Sequence, residues 1–295
     1  MKLPQNQNNY LKISNKNYQK FVINFFDQEL DNEAKDLTSN FIFNDHKICS
    51  KAEIIAKEEG ILSGREEIEF YLKKRKIKQN WLKKDGQKFL KNEKILYLQG
   101  EAKELLKMER VLLNFISRMS GISSKTFQIN KKFPKNIYLA STRKTLWGLL
   151  DKKAVSIGGG LTHRLNLSDA VLIKENHLKF LNIKDVCQKI SLASSKEIGK
   201  FWEIEVENKK QFLEVLKNLP SKRPGVIMLD NFTPQKIKQI LKLIQKPQNI
   251  FFEASGGINE NNIMDFIKSG VDVISMGFLT KNVYSIDFSM YLKEV

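Results

Sequence analysis

Beyond residue 130, short apolar runs of β-forming residues recur along the chain, and the gaps between them mostly hold amphipathic helical stretches. The runs are NIYLA (136–140), AVSI (154–157), AVLIK (170–174), FWEIEVE (201–207), GVIMLD (225–230), NIFFEAS (249–255) and VDVISMG (271–277). Between the later ones lie TPQKIKQILKLIQK (233–246), with Pro234 at an early helical position, and NENNIMDFIKSG (259–270), closed by Gly270. Strands that are apolar throughout, rather than alternating, and separated by helices predict a parallel sheet covered on both faces. Nearly every run finishes in reactive or glycine residues: STRK, GGG with HR, KENH, EVEN, LDN, EASGG and SMG. A β/α barrel gathers all such strand ends at one mouth, whereas a doubly wound sheet gathers only those beside its switch point. Seven decorated runs favour an α/β fold of the barrel kind.

The first part of the chain reads differently. EAKELLKMERVLLNFISRMS (101–120) puts Leu105, Met108, Leu112, Phe115, Ile116 and Met119 on one helical face, with Gly121 as a stop. Before it, AEIIAKEEGILSG (52–64) and EKILYLQG (93–100) read as short strands with glycine turns. The expected organisation is an N-terminal α/β unit over 1–120 and a barrel over 121–280. Residues 281–295 leave the pattern and are expected to pack back on the first unit. No apolar run approaches the ~20 residues that span a membrane. Met1 to Asn24 is polar, with neither an apolar signal core nor an Arg-rich transit pattern, and the only cysteines, Cys49 and Cys187, sit in unrelated contexts. A cytoplasmic protein is expected.

The net charge of +17 admits three readings. It fits nucleic acid, through counterion release, or a small polyanion steered into a positive cleft, or simple drift in a chain rich in Lys, Asn and Ile. The densest basic block, YLKKRKIKQNWLKKDGQK (71–88), reads as a solvated face.

The strand ends carry the chemistry. Arg143 and Lys144 follow a strand directly; such a pair offers a carboxylate or phosphate a planar fork and a point charge, although a surface ion pair looks the same. His163 and Arg164 follow three glycines, which either let a backbone approach a ligand or form a flexible turn. Lys174 ends an apolar strand, as do the acids Glu205 and Asp230, which need a partner there. The ASGGI segment (254–258), opening a helix, and SMG (275–277) supply glycine-rich amides suited to phosphate. No Ser or Cys nucleophile with a paired base, no histidine metal cluster and no dinucleotide fingerprint accompanies them. That set points to positioning and charge stabilisation on a phosphorylated, carboxylate-bearing substrate.

Taken in order, ERVLLNFISRMSGISSKT, STRKT, AVSIGGGLTHRLNLSDAVLIKENH, EIEVE, IMLDNF, EASGGI and GVDVISMG resemble the signatures of the quinolinate phosphoribosyltransferase family. KDLTS and EEGILSG resemble its early segments, so the likeness covers most of residues 33–290. The resemblance implies an incomplete α/β barrel of the type II phosphoribosyltransferase kind with an N-terminal α/β sandwich. It implies transfer from phosphoribosyl pyrophosphate to quinolinate with loss of CO2, aided by Mg²⁺. It also implies a homodimer or hexamer with shared sites, and no membrane or nucleic-acid partner. By matching motif, Arg143, Lys144, His163 and Arg164 would bind the quinolinate carboxylates, and Arg110 would reach in from a neighbouring subunit. Lys174 would sit by the reacting centre. Glu205 and Asp230 would face the ribose hydroxyls, Mg²⁺ and the developing positive charge. Ser255, Gly256, Gly257 and Gly277 would hold the 5-phosphate. Two departures concern the rim: Leu146-Trp147-Gly148-Leu149-Leu150 stands where the family has Thr-Pro-Gly-Leu-Arg, and Thr280-Lys281-Asn282 where it has Thr-His-Ser. The alternatives are a related enzyme for another small aromatic acid, of the molybdenum-operon kind, and a basic nucleic-acid-binding protein.

Overall fold

The structure is a computed structural model that describes residues 8–31, 35–44, 46–220 and 224–293. The Asn-rich start of the chain over 1–7, the first residues of the family likeness (33 and 34) and the last two residues lie outside them.

The chain divides into two compact units. One comprises Asn8–Phe127, Ser156–Gly159 and the chain from Val283 onward; the other comprises mainly Gln128–Val155 and Gly160–Asn282. In the first, β1 (Cys49–Ala56), β3 (Lys78–Trp81), β5 (Lys94–Glu101) and β12 (Phe288–Lys293) form an antiparallel sheet in the order β12-β1-β5-β3. A separate two-stranded pair joins β2 (Gly60–Ile61) to β4 (Lys88–Phe89). The last strand in sequence thus covers one edge of β1, from Ala56 opposite Phe288 to Lys51 opposite Lys293.

The long helix of this unit runs Ala102–Asn130, and its predicted face, from Leu105 to Met119, is buried. Phe115 lies 4.7 Å from the Phe26 ring, which stacks on Tyr71 at 4.6 Å. Gly121 does not end this helix. It sits within it, where a Cβ would overlap the Tyr284 carbonyl oxygen, so the glycine allows close backbone approach instead of a stop. In the basic block, Lys73 pairs with Glu69, Lys83 with Glu93 and Lys88 with Glu59 at 2.7–2.9 Å, which makes it a solvated, locally compensated face.

The second unit holds six parallel strands: β6 (Tyr138–Ala140), β7 (Val171–Ile173), β8 (Trp202–Val206), β9 (Gly225–Asp230), β10 (Ile250–Ser255) and β11 (Val273–Ser275). Their order is β6-β11-β10-β9-β8-β7, and β6 adds a single parallel bridge from Ala140 to Leu161. Among the described residues no pairing joins that bridge to β7, so the barrel is incomplete. The seventh expected strand, AVSI, is instead the end of a helix, Leu149–Ile157. Leu150, Ala154 and Val155 form its buried side, and the upstream Leu150 supplies the helical spacing that a four-residue run could not reveal. Intervening helices start on side-chain caps: Asn182, Asn208 and Thr233 each accept an N–H from the residue three further on, and Pro234 follows Thr233 as expected.

Candidate active site

Because all six strands run parallel, their carboxyl ends lie on one side of the second unit. Strand registers set Glu205 beside Met228 and Asp230 beside Ser255. The two-residue period of a strand puts Leu172, Glu203, Met228 and Glu253 on the same face as Lys174, Glu205, Asp230 and Ser255, each two residues nearer the start of its strand. A pocket of about 370 Å³ opens at this end. Its walls include Thr142, Arg143, Lys144, His163, Arg164, Lys174, Glu205, Asp230, Ser255, Gly256 and Gly257. That size and that mixture suit a small charged ligand.

Cations occupy one side. Arg143 and Lys144 are exposed, whereas Arg164 is 8% exposed. One terminal guanidinium nitrogen of Arg164 donates to the Ala170 carbonyl at 3.2 Å, and its buried Nε has no hydrogen-bond partner. Burial pulls the Arg164 pKa down, and the Arg143 charge adds to this. A largely desolvated guanidinium in a pocket wall is suited to receive an anion.

On the other side, Lys174 donates to Glu205 Oε2 at 2.6 Å. Burial pushes the Glu205 carboxyl above its usual range, with the Lys174 hydrogen bond opposing. Burial likewise raises Asp230, and Lys174 and Lys144 oppose it. The donor set of these two acids is oxygen only, on neighbouring strands. Such a pair suits a hard cation held by one or two carboxylates and the ligand's own phosphates.

The glycine loop after β10, expected to hold phosphate, differs in detail from expectation. Gly256 and Gly257 both take left-handed φ, at 93° and 62°, and a Cβ on Gly256 would overlap the Asn231 side chain. The next helix begins only at Ile263, so the amides offered here are those of a glycine turn rather than of a helix start. Gly277 lines an adjoining cavity with Thr142, Lys144, Ser255, Gly256, Lys281 and Asn282, which brings one departure from the family pattern to the phosphate end. The other departure, Leu146-Trp147, donates both backbone N–H groups to Asp151 Oδ2 and leaves Leu146 exposed.

Arg110, expected to serve a neighbouring subunit, and His163 are placed as follows. Arg110 is exposed on the helix Ala102–Asn130 and is not in the pocket wall. His163 borders the pocket, but its ring faces protein on both sides. Nδ1 accepts the Arg164 backbone N–H at 2.8 Å, and Nε2 lies 3.2 Å from Glu203 and 3.5 Å from Glu253. Burial favours the neutral ring; the two carboxylates together outweigh it and draw the pKa up to about 10. The Arg164 amide proton aimed at Nδ1 opposes a second ring proton. In either protonation state Nε2 carries a proton turned to the acids. Of the three glycines, Gly158 is fixed by the close approach of Ser123 and Thr126 and does not line the pocket.

Sequence reasoning passed over Lys152, Glu203 and Glu253, all buried. Lys152 Nζ donates to the Thr162 carbonyl at 2.6 Å, which the Ser141 hydroxyl also reaches at 2.9 Å. The two loops bearing Arg143 and Arg164 are thereby tied together. The glutamates were legible by period alone, two residues before Glu205 and Ser255.

Residues 122–291 match the family profile "Quinolinate phosphoribosyl transferase, C-terminal domain", and residues 36–120 match the corresponding N-terminal domain. The chain is 40% identical over 267 residues to a "Probable nicotinate-nucleotide pyrophosphorylase (carboxylating)" of Methanocaldococcus jannaschii, covering 86% of this chain and 90% of that one. A protein of the same name from Bacillus subtilis is 40% identical over 261 residues, covering 86% and 87%. The solved nicotinate-nucleotide pyrophosphorylase of Francisella tularensis superposes with a TM-score of 0.82 at 31% identity, over 93% of this chain and 97% of that one. With both domain profiles matched in order along its length, the chain belongs to the quinolinate phosphoribosyl transferase family.

Proposed function

We propose that this chain transfers the phosphoribosyl group of phosphoribosyl pyrophosphate to quinolinate, giving nicotinate mononucleotide, pyrophosphate and CO2, a step of NAD biosynthesis. The observation that carries the reading is the convergence of three cations, the largely buried Arg164 with Arg143 and Lys144, on one small pocket. A pyridine dicarboxylate brings two negative charges and its own nucleophile, the ring nitrogen. The protein then supplies position and charge rather than a covalent intermediate.

Arg143, Lys144 and Arg164 hold the carboxylates, and the Ser255–Gly257 turn with Gly277 holds the ribose 5-phosphate. The ring nitrogen's lone pair forms the bond to the ribose carbon while the bond to pyrophosphate breaks and its electron pair leaves with pyrophosphate. Glu205 and Asp230 face the positive charge that develops on the ribose, and the Lys174–Glu205 pair keeps both charges at the mouth. The electron pair of the broken carboxyl bond stays on the ring, beside the cations, until a proton replaces CO2. Mg²⁺, held by Glu205 and Asp230 with the substrate's phosphates, would neutralise charge on the leaving pyrophosphate. Arg110, exposed on its helix, serves the pocket of a second copy in a homodimer or larger assembly. The setting is the cytoplasm; among the described residues no helix is long and apolar enough to cross a membrane.

The test is release of pyrophosphate and CO2 by purified protein with Mg²⁺. Release that requires quinolinate and phosphoribosyl pyrophosphate together supports the reading. Turnover of nicotinate or another aromatic acid, with none of quinolinate, overturns it.

A further inference from the structure

Two residues before Glu205 and Ser255, Glu203 on β8 and Glu253 on β10 are both 0% exposed. A buried carboxylate is costly to keep, and an apolar residue at such a position commonly leaves a fold as stable or more so. Both acids nevertheless converge on one atom, His163 Nε2, at 3.2 and 3.5 Å. His163 in turn takes φ 55°, a left-handed conformation uncommon outside glycine that persists where the surroundings impose it. The Phe201 ring stands edge-on to the imidazole at 6.0 Å. On the ring's far side, Nδ1 receives the backbone N–H of Arg164. The imidazole therefore bridges two levels: its lower end lies in ion-pair contact with acids from two strands of the barrel interior, and its upper end accepts a hydrogen bond from the main chain that carries Arg164.

We propose that Glu203 and Glu253 are positioning residues for substrate binding: acting through His163, they fix the backbone of Arg164 and so the place of its guanidinium in the pocket. The proposal rests on the reading that Arg164 binds a quinolinate carboxylate. Glu203 and Glu253 then have a purpose distinct from that of the residues at the mouth, since neither acid lines the pocket itself. A guanidinium displaced slightly loses the paired geometry on which carboxylate recognition depends.

Steady-state kinetics of Glu203→Gln and Glu253→Gln, varying each substrate separately, test the proposal. The expected result is a KM for quinolinate raised about tenfold or more, with the KM for phosphoribosyl pyrophosphate within about twofold and an unchanged melting temperature. A merely structural role would lower the melting temperature and move both constants together, and that result overturns the proposal, as does no change in either constant. Should a glutamine variant fail to fold, Glu203→Asp, which keeps the charge but withdraws it by one methylene, is expected to give the same split. Arg164→Ala separates the two layers of inference. If it leaves quinolinate binding unchanged, the carboxylate reading of Arg164 falls. If it weakens binding while the glutamate variants do not, only the positioning role falls. A stoichiometric transition metal in the purified protein would also overturn the proposal, because the same three side chains would then be its ligands.

Discussion

Lys152 shows how much of the site depends on a residue that never meets the pocket. Its ammonium is buried against Ser141 and Thr162, and burial first, then Arg143, pulls its pKa down to about 7. An unfolded lysine titrates near ~10.4, so between about pH 7 and pH 10 the folded chain holds fewer protons than the unfolded one. The contribution of Lys152 to stability is present in full above the unfolded value and is lost as pH falls through the folded one. Thermal melts across that window are expected to show stability rising with pH in the parent and a flatter profile in Lys152→Met. Parallel profiles would remove the assignment. Lysines are common in this chain, and nothing local distinguishes Lys152 from its neighbour Lys153; only the packing of two loops over it does.

At the scale of elements, the sequence was most informative where a pattern was long. The helical face from Leu105 to Met119 and the capped start at Thr233-Pro234 were readable because several residues agree. Short signals misled. AVSI is equally apolar as a strand or a helix end, and Gly121 has the same sequence signature whether it ends a helix or lets a backbone pass close by. In the glycine turn after β10, the geometry leaves little freedom at Gly256. Gly256→Ala puts a side chain at φ 93° and against Asn231, and should cost about 1–3 kcal/mol in denaturant titrations. On the reading proposed above, it also raises the KM for phosphoribosyl pyrophosphate more than that for quinolinate. Equal effects on the two constants would argue against a phosphate role for this turn.

For the whole molecule, the chain's end matters to the start of the fold. β12 brings Phe288 to 5.4 Å from the Phe89 ring and occupies an edge of β1 that would otherwise offer unpaired backbone groups. Phe288→Ala is therefore expected to destabilise the protein by about 3–5 kcal/mol, measured by chemical denaturation. A loss below about 1 kcal/mol would mean that β12 adds little to this unit.

By itself, the sequence determined the barrel-type architecture and the identity of most residues at its mouth. Those properties are local or periodic: apolar runs make buried strands, and strand ends in a parallel sheet must lie on one side. Tertiary structure alone decided that six strands rather than seven form the sheet and that the ring stays open beside β7. It also decided that His163 faces two buried glutamates instead of the open pocket. Each of these depends on which distant residues meet. Burial, the direction of a ring and the pKa of a lysine are set by neighbours in space, and one-dimensional spacing does not carry them.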